Sequence, residues 1–187
     1  MEKKVKTNSS FSRELSGGIL RAANEEERTV ELSFSSEEPY ERWFGVEILD
    51  HSDGCVDLER LSSIGCVLFN HKRDEVIAKV LEVKCENGRC TAVIQFDKDE
   101  KSDVIYQKVK GGTLKGVSVG YLVSVWEEVA AGKTSSDGRF TGPCSIAKRW
   151  MPYEISIVSI PADPTVGVGR DMDGDEHGRM RGLYSLQ

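Results

Sequence analysis

The chain has 187 residues, 39% of them hydrophobic, and a formal net charge of −6, values that suit one globular domain with room for a core. No uncharged apolar run reaches the length of about 18 residues that a membrane span needs, and the basic start MEKKVKTNSSFSR is not followed by a signal-like apolar stretch. No basic patch interleaved with aromatics marks a nucleic-acid binder, so membrane, secretion and nucleic acid are set aside and a cytosolic setting is expected.

Residues 1–15 lack periodicity and are expected to form a mobile arm ahead of a domain over residues 16–169. TVELSFS, Thr29 to Ser35, alternates Val30, Leu32 and Phe34 on one side, and Trp43 to Leu49 reads as the next strand. DLERLSS, Asp57 to Ser63, suits a short helix capped by Asp57. Ile64 to His71 is strand-like, and Val76 to Phe96 folds about Asn87-Gly88, a two-residue hairpin signal. That turn sets Cys85 opposite Cys90, within disulfide reach. The five cysteines show no CxxC pair and no His/Cys cluster at ligand spacing, so reduced thiols are expected and no metal or cofactor is implied.

Asp97 and Glu100 have the spacing of a capping box, with Val104, Ile105, Lys108 and Val109 as the helix stripe and Gly111-Gly112 as its stop. A strand follows from Gly116 to Trp126. Glu127 to Lys148 reads as a long surface loop, Pro152 to Ile160 as another strand, and the charged, glycine-rich run from Arg170 to Gln187 as a disordered tail. Many short strands with few helices give an α+β class that is mainly β, a barrel or sandwich with helical covers.

In GVSVGYLVSVW the apolar residues Val117, Val119, Tyr121, Val123 and Val125 keep a period of two, so Ser118 points to the opposite face. Its neighbours there, Gly116 and Gly120, have no side chain, which predicts an open hydroxyl. A serine needs a base to act as a nucleophile. Of three histidines, His51 lies in a turn-like HSDG and His177 in the charged tail, whereas His71 closes the apolar run CVLFNH on a rigid scaffold. A carboxylate within an otherwise apolar strand could orient that imidazole; Glu154 in YEISIV fits, with Asp163 in the following proline-bounded turn as second candidate. Each residue alone has an ordinary alternative: a solvated strand-face serine, an exposed strand-end histidine, a half-solvated glutamate.

Taken together, the order VLFNH, then GVSVGY after a short helix, then YEISIVSIPADP, preceded by DHSDGCVDLERL, resembles the prohead maturation protease family of tailed phages, serine proteases with a fold similar to herpesvirus assemblin. The resemblance covers roughly residues 28–168. It implies a compact β-barrel with surrounding helices, with Ser118 as nucleophile, His71 as general base and Glu154 at the acidic position. It also implies a phage- or prophage-encoded enzyme of the host cytoplasm, packaged inside the procapsid, where it trims scaffold protein and major capsid protein; the charged, non-periodic ends of the chain are candidate self-cleavage regions. Homo-oligomerisation is compatible with the sequence.

A peptide substrate could lie as an added strand on an open sheet edge near Ser118. Backbone N–H groups are the expected oxyanion donors, with Arg149 as a further candidate. Two other readings compete. Lys115 could serve as base, although an offset of three along a strand turns it away from Ser118. The barrel could also be a catalytically silent assembly or scaffold-binding module.

Overall fold

The computed structural model describes residues 10–15 and 21–160. Its strands are β1 (Ser10–Leu15), β2 (Arg21–Asn24), β3 (Thr29–Ser36), β4 (Tyr40–Arg42), β5 (Gly45–Leu49), β6 (Cys66–Phe69), β7 (Lys72–Glu86), β8 (Arg89–Phe96), β9 (Gly116–Val129) and β10 (Cys144–Val158), with helices α1 (Glu59–Ile64) and α2 (Glu100–Lys110). They form one ten-stranded sheet in the order β1-β9-β10-β6-β7-β8-β3-β2, with β5 also on β10 and β4 on β5. The sheet curls into a half-barrel, mainly β within an α+β class. Its core side is filled by the alternation legible in sequence, Val30, Leu32 and Phe34 from β3 and Val117, Val119, Tyr121 and Val123 from β9, joined by Ala92, Ile94 and Phe96 from β8 and Ile155 and Ile157 from β10. Burial of each large apolar side chain contributes about 1.5–3 kcal/mol. Asp163, His177 and the expected tail lie outside the described residues.

Several elements differ in extent from the sequence reading. The strand expected over Trp43–Leu49 is a hairpin, β4 and β5, that turns at Trp43-Phe44 and Gly45, whose φ of 115° favours glycine. The cap of α2 is Asp99, not Asp97: its carboxylate accepts the N–H groups of Lys101 and Ser102, each at 3.1 Å. The buried stripe accordingly runs Ser102, Ile105, Tyr106 and Val109, leaving Val104 47% exposed. Asp57 accepts the Glu59 N–H at 3.1 Å, just outside α1, whose N-terminal flank is Leu58.

The supposed loop from Glu127 to Lys148 is strand at both ends. β9 continues to Val129 and β10 begins at Cys144, so only residues 130–143 connect them. Charged residues disguised these strand ends, and an ion network accounts for one of them, Lys148. Buried Asp50 accepts Lys148 at 2.6 Å and Arg139 at 2.8 Å, Lys148 reaches Asp137 at 2.8 Å, and Arg139 reaches Glu37 at 2.6 Å. Burial by itself would raise the Asp50 pKa, but hydrogen bonds from Lys148, Ser52 and Arg139 outweigh it and hold the carboxyl well below its ordinary range.

Asn87 and Gly88 take φ values of 52° and 71°, the two left-handed residues of the expected hairpin turn, and Cys85 pairs with Cys90 in register. The expectation of reduced thiols is corrected at this pair, which is a disulfide with α-carbons 4.1 Å apart, while Cys55, Cys66 and Cys144 are free.

Ser10–Leu15, assigned from sequence to a mobile arm, is β1, paired antiparallel with β9 from Ser10–Leu122 to Leu15–Val117. Arg13 faces the core side of this strand and is 2% exposed. There it joins Arg42, Glu47 and Tyr121: Tyr121 Oη donates to Glu47 Oε1, and Arg42 reaches Tyr121 Oη at 2.7 Å and Glu47 Oε1 at 3.3 Å. Arg13 donates to the Glu38 carbonyl and lies over the Tyr40 ring at 5.2 Å. Burial pushes the Arg13 pKa below its ordinary value, against the opposing influence of Tyr121 and Glu47.

Two outcomes follow from these buried charges. Glu47→Ala leaves the buried Arg13 and half-buried Arg42 guanidinium groups without the neighbouring carboxylate and should lower unfolding free energy in urea by about 3–5 kcal/mol; a loss below about 1 kcal/mol would contradict the role given to Glu47. Because the Asp50 pKa is depressed by folding, its stabilisation is present above the unfolded carboxyl value of about 3.9 and is lost as pH falls below it. Acid titration of Asp50→Asn should therefore show a shallower fall in stability through that window than wild type, and an identical acid limb would argue against it.

Candidate active site

β6 and β7 are joined by two residues, Asn70 and His71, because Phe69 pairs directly with Lys72. Both adopt left-handed backbone, with φ of 52° and 59°, the conformation a two-residue hairpin of this kind requires. His71 is therefore a turn residue, not a strand end. The turn is tethered to β10 and the residue just after it: Asn70 N–H donates to the Ile157 carbonyl at 2.9 Å, the Asn70 side-chain oxygen accepts the Ser159 N–H at 2.9 Å, and His71 N–H donates to Ser156 Oγ at 3.2 Å.

This tether delivers the imidazole to β10. His71 Nδ1 lies 2.6 Å from Glu154 Oε1, and since a carboxylate can only accept, Nδ1 carries a proton, so that in the neutral imidazole Nε2 presents the lone pair. Among the described residues Nε2 is buried and has no hydrogen-bond partner. Ser156, two residues along β10 and so on the same face, donates to Glu154 Oε1 at 2.5 Å. One hydroxyl thus holds both the carboxylate and the backbone of the histidine. Sequence reasoning passed over Ser156, although its offset of two from Glu154 was the available signal.

Ser156 is also the direct cross-strand partner of Ser118, as Glu154 is of Gly120, so Ser118 lies on the face that carries Glu154 and Ser156. The predicted direction is right, but the predicted open hydroxyl is not. Ser118 is 0% exposed and its Oγ donates to the Arg13 carbonyl at 3.1 Å. β9 itself offers no open edge beside Ser118, because among the described residues β1 fills one side of it and β10 the other. No hydrogen bond joins Ser118 to His71 among the described residues.

Gly120 has a packing role. A Cβ there would sit 3.0 Å from the Tyr153 ring and 3.1 Å from Glu154 Oε2, so the missing side chain is what lets these two residues cross β9. Tyr153 Oη in turn meets Ser10 Oγ of β1 at 2.6 Å. Beside the His71 turn, a groove of about 600 Å³ separates the start of β7 from the first turn of α2, floored by Phe69 and Ile105 and rimmed by Asp74, Glu75 and Glu100.

The other sequence candidates fall away from this cluster. Arg149 is exposed and pairs with Val125, seven residues along β10 from Ser156, which at about 3.3 Å per residue is about 20 Å and too far to serve an oxyanion at Ser118. Lys115 is exposed and precedes β9. His51 is buried with both ring nitrogens engaged, Nδ1 with the Leu49 carbonyl and Nε2 with Ser35 Oγ, each at 2.8 Å, and burial lowers its pKa to about 4.

Ser156→Ala removes the acceptor of the His71 N–H in a buried setting, so urea unfolding should show a loss of about 1–3 kcal/mol. An unchanged midpoint would mean that Ser156 does not hold the turn.

The model of the caudovirus prohead serine protease family matches residues 55–177. A protein named major capsid protein from Halomonas phage phiHAP-1 is 38% identical over 146 residues, which span 76% of this chain and 23% of that relative. The chain thus covers less than a quarter of that relative's length. No solved structure matches the chain.

Proposed function

The chain belongs to the caudovirus prohead serine protease family, and from that premise we propose that it is a serine endopeptidase acting inside the procapsid on major capsid protein, scaffold protein and its own ends. The observation that carries the proposal is the His71–Glu154 hydrogen bond, with Nε2 left free to accept a proton. In this mechanism Ser118 Oγ gives its proton to His71 Nε2 as it attacks the scissile carbonyl. Glu154 holds the imidazole tautomer and stabilises its cationic form, and His71 then protonates the leaving amine. Ser156 positions Glu154 and the His71 backbone.

For this chemistry the Ser118 hydroxyl must turn from the Arg13 carbonyl toward the imidazole. Catalytic hydrogen bonds commonly tighten only once substrate binds. The groove between β7 and α2 offers the substrate an apolar floor, and its acidic rim favours basic side chains. A capsid substrate is supported by the relative named major capsid protein, of which a part resembles this chain.

A second reading, a silent assembly module, is favoured by the burial of Ser118 and its bond to β1. Co-expression with the capsid and scaffold proteins of the same phage separates the two. On the protease reading wild type shortens these proteins, while Ser118→Ala, equally folded by circular dichroism, leaves them full length. Glu154→Gln should lower kcat by up to about 10⁴-fold, about 5 kcal/mol of barrier. Asp163→Asn made in parallel should cleave normally. Full cleavage by Ser118→Ala would overturn the assignment, and equal lengths with wild type and with Ser118→Ala would favour the silent module.

A further inference from the structure

His51, Cys85 and Cys90 each offer a ligand atom, and these atoms lie within 4.8 Å of one another. The two sulfurs come from facing positions of the β7–β8 hairpin, while the imidazole comes from the stretch after β5, which is why spacing along the chain gave no sign of the group. We propose that, when the Cys85–Cys90 disulfide is reduced, these three side chains bind a soft divalent ion of the zinc type, so that the hairpin alternates between a disulfide and a metal site.

Three features favour it. The Leu49 carbonyl can only accept a hydrogen bond, so His51 Nδ1 carries the proton and Nε2 is the coordinating atom. A ligating imidazole is oriented in this way when its other nitrogen donates to a carbonyl. Nε2 is now occupied only by the Ser35 hydroxyl at 2.8 Å, a rotor that can turn away, and Ser35 is itself the cross-strand partner of Cys90. His51 and Cys90 are 7% and 0% exposed, so the site is sheltered, while half-buried Cys85 gives a route for thiols and ions. Two thiolates and one imidazole are a zinc donor set, with the fourth position left for water.

The chemistry balances. Two equivalents of a monothiol such as glutathione reduce the disulfide to two thiols and are oxidised to one disulfide; the divalent ion then displaces two thiol protons to solvent. The two states differ mechanically. The disulfide ties the hairpin only to itself, whereas the ion would tie it to His51, whose ring packs edge-on against Trp150 of β10.

The test uses the full chain reduced with a phosphine and stripped with a chelator. Zinc chloride is titrated in competition with a chromophoric chelator, and cobalt(II) chloride serves as a spectroscopic probe of thiolate ligation. One zinc per chain is expected, with a thiolate-to-cobalt charge-transfer band. Cys85→Ser and Cys90→Ser should each remove most of that band and weaken zinc binding by about tenfold or more, and His51→Gln should weaken it while keeping the band. Folded, reduced wild type that binds no zinc, or Cys85→Ser that binds it as tightly as wild type, would overturn the proposal. Cys85 is half-buried at a hairpin position, so its variant remains informative if substitution of His51 or Cys90 prevents folding.

Discussion

Ser156 faces Ser118 and Glu154 faces Gly120 because β9 and β10 run antiparallel and, beyond an irregularity between Pro152 and Glu154, hold one register from Glu154 to Val158. Most of the site depends on that ladder. It places a hydroxyl, a carboxylate and a bare glycine on the face opposite the valines and isoleucines of the core, and it gives β10 a second neighbour, β6, whose turn brings in His71. A shift of one residue would send Ser118 into the core and Val117 or Val119 to the site. From Glu154 to Val158 the apolar period of both strands opposes such a shift, so there the packing of the core and the geometry of the site are one constraint.

The buried charges act on the same ladder from its other edge. Arg13 sits on the core side of β1 while its own carbonyl accepts the Ser118 hydroxyl. A single residue therefore couples the ion cluster of Glu47, Arg42 and Tyr121 to the proposed nucleophile. Buried ion pairs contribute little net stability but are costly to break, which makes them suited to fixing where a strand lies. On this account β1 is held by charge and backbone pairing, and the accessibility of Ser118 is set by how firmly it is held.

Much of this was legible in the sequence. Period-two alternation located the core faces of β3 and β9, and Asn87-Gly88 located the β7–β8 hairpin. The pairing of His71 with Glu154, far apart in the chain, came from the motif order and is now a hydrogen bond. The parts that were not legible share a cause, since each depends on partners distant in sequence. Lys148 looks like a loop residue until Asp50 and Asp137 are placed beside it. Arg13 looks like part of a solvated arm until Glu47 and Tyr121 close around it. Ser156 looks like an incidental strand serine until the turn at His71 is folded onto it.

The central claim is that Ser118 and His71 form a working nucleophile and base. Reaction of the folded protein with a fluorophosphonate probe, followed by peptide mass mapping, tests it most directly, because the adduct forms only at an activated serine. The account predicts one adduct per chain, on Ser118, lost when the protein is denatured and in His71→Ala. Absence of any adduct on well-folded wild type, or an adduct on Ser156 instead, would contradict it.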